Sequence, residues 1–116
     1  MATTTRQALQ RRLRTALKRE VSSTEKARAL VKRYTAEEEA YAKQQKVIRS
    51  KLLRAQETGN MGQAEEYETL LAELKEQTAA ARESASKARE QLEAHEARVE
   101  KIQASLKRLG SGVPIK

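Results

Sequence analysis

The 116-residue sequence contains no cysteine, tryptophan, phenylalanine or aspartate, and its one histidine is His95. Without cysteine the chain can hold neither a disulfide framework nor a thiolate zinc site. A single histidine with no aspartate or cysteine argues against nucleophilic triads and histidine-based metal sites. No uncharged run approaches the roughly 20 apolar residues that cross a membrane, and the N-terminus lacks the apolar stretch of a secretory signal. We therefore expect a protein that is not an enzyme, needs no cofactor or metal and does not enter a membrane.

What the sequence does contain is typical of long helices. Alanine, leucine, glutamate, lysine, arginine and glutamine make up 80 of the 116 residues, a composition found in coiled coils. Leucine, valine and isoleucine together number only 20, whereas alanine alone numbers 19. That is too little bulk for a thick core but enough for narrow seams between helices. The sequence predicts one all-α domain over residues 1–116.

The second half carries the clearest periodicity. Apolar or small residues recur from Tyr67 onward at alternating steps of four and three, the spacing of a heptad seam. The thirteen positions are Tyr67, Leu71, Leu74, Thr78, Ala81, Ala85, Ala88, Leu92, His95, Val99, Ile102, Leu106 and Leu109. This pattern predicts a helix over 63–109 and a flexible tail over 110–116. His95 lies on the seam, so we expect a packed polar residue that fixes register rather than a ligand.

Residues 58–62 contain two glycines and an asparagine and predict a loop between antiparallel helices. Gly59 suits the position just after a helix end, and Asn60 suits a helix N-cap.

The first half is less regular. Leu9, Leu13, Leu17 and Val21 recur in steps of four, whereas Ala27, Tyr34, Tyr41, Ile48 and Ala55 recur every seven residues, with Leu30 or Val31 between them. Between the two stripes, Ser22 and Glu25 have the spacing of a capping box, which can restart a helix. A restart gives helices over 5–20, 24–57 and 63–109. An uninterrupted helix gives a two-helix hairpin instead.

We expect the restart and a three-helix bundle, spectrin-like or coiled-coil-like, built on an antiparallel long-helix hairpin. This arrangement buries more apolar area per residue than the hairpin alone. The heptad seam can also be satisfied between two chains, so monomer and homodimer both stay open.

Charge is uneven along the chain. Residues 1–58 hold 15 lysines and arginines against 6 glutamates, whereas residues 59–116 hold 9 against 10. A basic half indicates an acidic partner. Nucleic acid is a minor hypothesis, because all three tyrosines lie on seam positions rather than beside the basic cluster of residues 6–19. A coiled-coil stalk or adaptor, such as the helical-hairpin stalks of secretion and flagellar ATPases, is a second alternative.

Residues 31–41, Val-Lys-Arg-Tyr-Thr-Ala-Glu-Glu-Glu-Ala-Tyr, resemble the first helix of the tubulin-binding cofactor A family. That family has a Lys-Arg step between apolar residues, then a glutamate, then a tyrosine four residues later. Lys32, Arg33, Glu37 and Tyr41 match this pattern without gaps. The resemblance extends over roughly residues 28–105. The chain departs from the family in its extra N-terminal residues, in its Gly-Asn-Met-Gly loop, and in lacking the family's third helix after residue 110.

The resemblance implies a tubulin-folding cofactor, or chaperone, that holds β-tubulin after its release from the cytosolic chaperonin. It also implies a cytoplasmic, cytoskeleton-associated location, no nucleotide and no enzymatic step. β-Tubulin is acidic, so basic side chains of the matching helix are expected to steer its encounter. The partner-binding residues predicted on this basis are Lys32, Arg33, Glu37, Tyr41, Lys43, Lys46 and Arg49.

Overall fold

The computed structural model describes residues 2–110, with side chains from residue 5 onward, and these residues form two long helices. Helix α1 covers Ala2–Glu57 and helix α2 covers Met61–Gly110. No strand occurs within the described range, so the all-α prediction is confirmed. The chain divides into two compact units, each containing part of both helices. Unit 1 comprises Met1–Ala29 and Ala88–Lys116, and unit 2 comprises Leu30–Lys87.

The connection between the helices is short because both of its ends are capped. Gly59 has a φ of 72°, the left-handed conformation that glycine adopts without strain. Its N–H donates to the Gln56 carbonyl at 3.2 Å, and the Asn60 N–H donates to the Ala55 carbonyl at 2.9 Å. This pair of bonds is a Schellman motif. The Asn60 side-chain oxygen then accepts the Gln63 N–H at 3.2 Å and caps α2. Both capping predictions are confirmed, but the loop covers only residues 58–60 rather than the predicted 58–62, because the Asn60 cap lets α2 begin at Met61.

The seam predicted on α2 is confirmed. All thirteen of its positions are buried or half-buried. Ala81, Ala85 and Ala88 are among the most buried residues of the protein. Small side chains at these points let the facing helix approach closely, but each buries little area. The division between the units falls inside this alanine stretch, between Lys87 and Ala88.

The expected break in the first half is absent. Helix α1 is continuous through Ser22, and the Thr24 hydroxyl donates to the Glu20 carbonyl at 2.7 Å, a bond made within a helix rather than at its start. No glycine or proline lies in α1 to stop the helix, and burial of Thr24 and Ala27 stabilises the segment in place. The prediction of separate helices over 5–20 and 24–57 is therefore wrong, since one continuous helix covers both ranges. A three-helix bundle is not shown.

The inward face of α1 also differs from the stripe of leucines. Leu13 and Leu17 are half-buried, but Leu9 and Val21 are exposed. Four residues turn a helix by about 400°, so a stripe in steps of four drifts off any fixed face. Glu20 and Thr24 take the inward positions instead. Farther along, Val31 is half-buried and Leu30 exposed, which settles that alternative.

Within unit 2 the two helix segments run antiparallel. Gln45 of α1 bonds to Thr78 of α2, while the earlier residue Glu38 pairs with the later residue Arg82 at 2.8 Å. This confirms the antiparallel hairpin around the turn.

Candidate partner-binding surfaces

The seven residues predicted from the resemblance all lie on α1 within unit 2. Glu37 and Tyr41 are half-buried, and the five cations are exposed. Arg33 donates to Glu37 across one helical turn at 3.4 Å, and its guanidinium lies 5.9 Å from the centre of the Tyr34 ring. Exposed pairs of this kind contribute little to stability, so these side chains are available for other contacts.

The structure does not gather these seven residues on one face. Arg33 and Arg49 are sixteen residues apart, which places them about 160° apart around the helix. Arg49 donates to the Gln45 side-chain oxygen at 3.2 Å on one flank of the seam. Lys43 lines a groove on the other flank. A partner could contact only part of the predicted set at one time.

Arg49 belongs to a polar layer that crosses the seam of unit 2. The Gln45 amide donates to the Thr78 hydroxyl at 2.7 Å, and that hydroxyl donates to the Leu74 carbonyl at 2.7 Å. Gln45 and Thr78 are both buried. Because a buried amide needs its partner, this layer favours one alignment of the two helices over a shifted one. Its role is structural, and the apolar periodicity of α1 does not identify Gln45 as a buried residue.

The charge divides sharply between the units. Unit 1 holds 14 lysines and arginines against 6 glutamates, a net charge of +8, whereas unit 2 holds 10 against 10. The full net charge of the protein therefore resides in unit 1. The partner-binding residues that the resemblance predicts lie in unit 2, whose net charge is zero.

Within unit 1, cations from both helices line one flank of the seam. Arg19 and Ala16 of α1 and Arg98, Lys101 and Ile102 of α2 line a groove, which we call the basic groove. Arg11 and Arg12 extend it along α1. The only acid lining it is Glu20, which pairs with His95 at 2.8 Å and with Arg98 at 3.7 Å. His95 is half-buried on the seam, as the sequence predicts, and the structure adds its pairing with Glu20.

The other flank of unit 1 has the opposite character. Glu25, Glu96 and Glu100 line a groove there with one cation, Arg28. The two grooves of unit 1 therefore differ in charge, and only the basic groove attracts an anionic partner. Sequence reasoning identified the arginines of α1 but missed Arg98 and Lys101, because only packing brings them beside Arg19.

Residues 2–110 contain no group of three or more acidic or histidine side chains placed to hold a metal ion. No helix in the same range is both long and apolar enough to cross a membrane.

Over the residues that the structure describes, the fold and surfaces define a class of helical protein with two long helices and an uneven distribution of net charge. The chain matches no family model, no curated protein and no solved structure.

Proposed function

We propose that the chain is a non-enzymatic helical binding protein that docks an acidic partner protein on the basic groove of unit 1. The observation that carries this proposal is the location of the whole net charge of +8 in unit 1. Cations from both helices line one groove there. Such a concentration raises the rate of encounter with an anionic surface and adds salt-sensitive affinity.

The geometry of the groove supports a protein surface as its ligand. Arg98 lies 3.7 Å from the Glu20 carboxylate, which also contacts His95 at 2.8 Å. Two residues of α2 thereby face one carboxylate of α1. The Arg98 side chain is 59% exposed, so its other N–H groups can bind a carboxylate of a partner protein.

β-Tubulin is the specific acidic partner that we propose from the resemblance of residues 31–41. Exposed Lys32 and Arg33 and the Arg33–Glu37 pair support contact through that segment. The segment lies in unit 2, which has no net charge, whereas the basic groove belongs to unit 1. The general and the specific proposals therefore use different residues and can be tested separately.

Two triple variants with equal charge change separate the proposals. Arg11, Arg12 and Arg19 are reversed to glutamate in one, and Lys32, Arg33 and Lys43 in the other. Binding of polyglutamate and of purified tubulin is measured by titration at low salt, with helicity checked by circular dichroism. We expect the unit 1 variant to lose at least about tenfold in affinity for polyglutamate, because it removes the charge that attracts the ligand. The unit 2 variant should lose less than about threefold.

Each outcome bears on one proposal. Equal loss in both variants would overturn the basic groove as the docking surface. Failure of the wild-type chain to bind tubulin would end the specific proposal and leave the general one standing. Binding of duplex DNA with a steep salt dependence, in preference to both acidic polypeptides, would favour the nucleic-acid alternative. Binding of none of these ligands would favour a purely structural stalk.

A further inference from the structure

Unit 2 exposes large apolar side chains along one flank of its seam. Val47 is 53% exposed and Leu70 is 43% exposed. Together with Ile48 and Leu74 they line a groove of about 470 Å³ between the two helices. The groove is bordered by Lys43 and Gln44 from α1 and by Glu73 and Gln77 from α2. We call it the apolar groove.

The groove on the opposite flank of the same unit has a different lining. It is lined by Arg49, Lys75 and Arg82 with Gln45 and Thr78, and its apolar residues are the small Ala42 and Ala79. Leu30, Leu53 and Met61 of unit 2 are also exposed, but none of them lines either groove. Val47, Ile48, Leu70 and Leu74 instead come together in one groove, and a contiguous apolar patch of this kind marks a surface that another helix covers.

We propose that the apolar groove of unit 2 is the contact surface between two copies of this chain. The two copies would meet through a two-fold axis, so that Val47 and Leu70 of each copy pack against the apolar groove of the other. The contact adds a second pair of helices to the hairpin of unit 2 and makes a local four-helix arrangement.

Charge favours a second copy over a differently charged partner. The border of the groove carries one cation and one anion, Lys43 on α1 and Glu73 on α2. A two-fold contact presents the same surface to itself, so a border with both signs can be complementary to its own copy. Unit 2 as a whole has 10 cations and 10 glutamates, so two such units do not repel each other. An acidic partner gains nothing at this border, whereas it is attracted to unit 1.

The first test is the molar mass of the full chain by sedimentation equilibrium from about 1 µM to 1 mM, a range that covers strong to weak association. We expect the wild-type chain to reach the mass of a dimer within it. The double variant Val47→Glu with Leu70→Glu should remain monomeric at concentrations where the wild type is dimeric. Its helicity should be unchanged, because both side chains are already largely in water.

The matched control is Leu53→Glu. Leu53 lies on α1 in the same unit and is 57% exposed, but it does not line the groove. This variant should dimerise like the wild type. A wild-type chain that stays monomeric up to 1 mM would overturn the proposal. So would a dimer abolished by Leu53→Glu but retained by the groove variant.

A second measurement keeps the test decisive if the double variant loses helicity. The chain has no cysteine, so Val47→Cys and Leu53→Cys each introduce a single thiol. Dimer formation through the apolar groove predicts rapid intermolecular cross-linking of Val47→Cys by a short bismaleimide and slow cross-linking of Leu53→Cys. Equal rates would contradict the proposed contact. This proposal is independent of the basic groove. A chain that stays monomeric can still bind polyglutamate through unit 1.

Discussion

At the scale of single residues, buried polar side chains are what align α1 with α2 in unit 2. An alanine-rich seam favours no single alignment strongly, since many shifted alignments bury similar small methyl groups. The Gln45–Thr78 bond at 2.7 Å does favour one alignment, because a shift leaves a buried amide unpaired. The alignment is therefore set by polar atoms, and the apolar residues supply most of the burial.

Gln45→Ala tests this alignment. The substitution removes the bonds to Thr78 and to Arg49 but leaves the Thr78 hydroxyl bonded to the Leu74 carbonyl. We expect the free energy of unfolding to fall by about 1–2 kcal/mol, measured by urea denaturation. The neighbouring Gln44→Ala is the control, since Gln44 is exposed and its loss should change stability by less than about 0.5 kcal/mol. Equal effects of the two substitutions would mean that the polar layer does not stabilise the fold.

At the scale of elements, the turn shows how two local signals fix a long-range arrangement. Gly59 ends α1 in a left-handed conformation and Asn60 starts α2 one residue later. Only three residues separate the helices, so the end of α1 and the start of α2 must lie close together. The sequence predicts this turn well because capping depends on nearby residues alone.

Gly59→Ala and Gly62→Ala separate backbone strain from steric contact. A Cβ at Gly59 would meet nothing within 4 Å, so the cost of Gly59→Ala comes from its positive φ. We expect a loss of about 1–2 kcal/mol in the free energy of unfolding. Gly62 is helical, and its added Cβ would make only an ordinary contact with Asn60 at 3.8 Å. Gly62→Ala should therefore gain up to about 1 kcal/mol. Thermal unfolding followed by circular dichroism measures both effects. If both substitutions stabilised or both destabilised the protein, the left-handed turn at Gly59 and the helical conformation of Gly62 would not account for them.

The seam of α2 makes a second prediction at this scale. Leu74 is 8% exposed, whereas Val99 is only half-buried. Leu74→Lys should cost several kcal/mol because the ammonium group is buried without a partner. Val99→Lys should cost about 1 kcal/mol, since a lysine there can extend its charge into water. The midpoints of urea unfolding compare them, and a larger effect at Val99 would show that the inward face of α2 is misassigned.

At the scale of the whole molecule, the governing feature is the unequal division of charge. Unit 1 has a net charge of +8, whereas the net charge of unit 2 is zero. Repulsion among like charges destabilises a compact state, and added salt weakens that repulsion. The same surplus that attracts an acidic partner therefore lowers the stability of the unit that carries it.

Amide hydrogen exchange at two salt concentrations measures this trade-off. Raising the salt from about 0.05 M to 0.5 M shortens the screening length several-fold. We expect exchange to slow in residues 5–29 and 88–110, while residues 30–87 act as the internal control and change little. Slowing of equal size in both units would show that the charge surplus does not determine local stability.

Local signals in the sequence were sufficient for the helical class, the turn at Gly59 and Asn60, and all thirteen seam positions of α2. Each depends on periodicity or capping within a few residues, and α2 has an uninterrupted four-and-three spacing. The same reasoning failed at Ser22, where a capping-box spacing suggested a break. A capping box marks a helix start only where the preceding helix ends. Helix α1 contains no glycine or proline that would end it before Ser22.

Only the tertiary structure decided which residues of distant segments meet. The pairing of Glu20 with His95, the bond between Gln45 and Thr78, and the joining of Arg19 with Arg98 and Lys101 bring together residues 33 to 82 positions apart. Periodicity identifies the inward face of each helix, but not which positions of the two faces lie side by side. Packing and the pairing of buried polar atoms set that alignment, which places Arg98 and Lys101 beside Arg19 in unit 1 and Leu70 beside Val47 in unit 2.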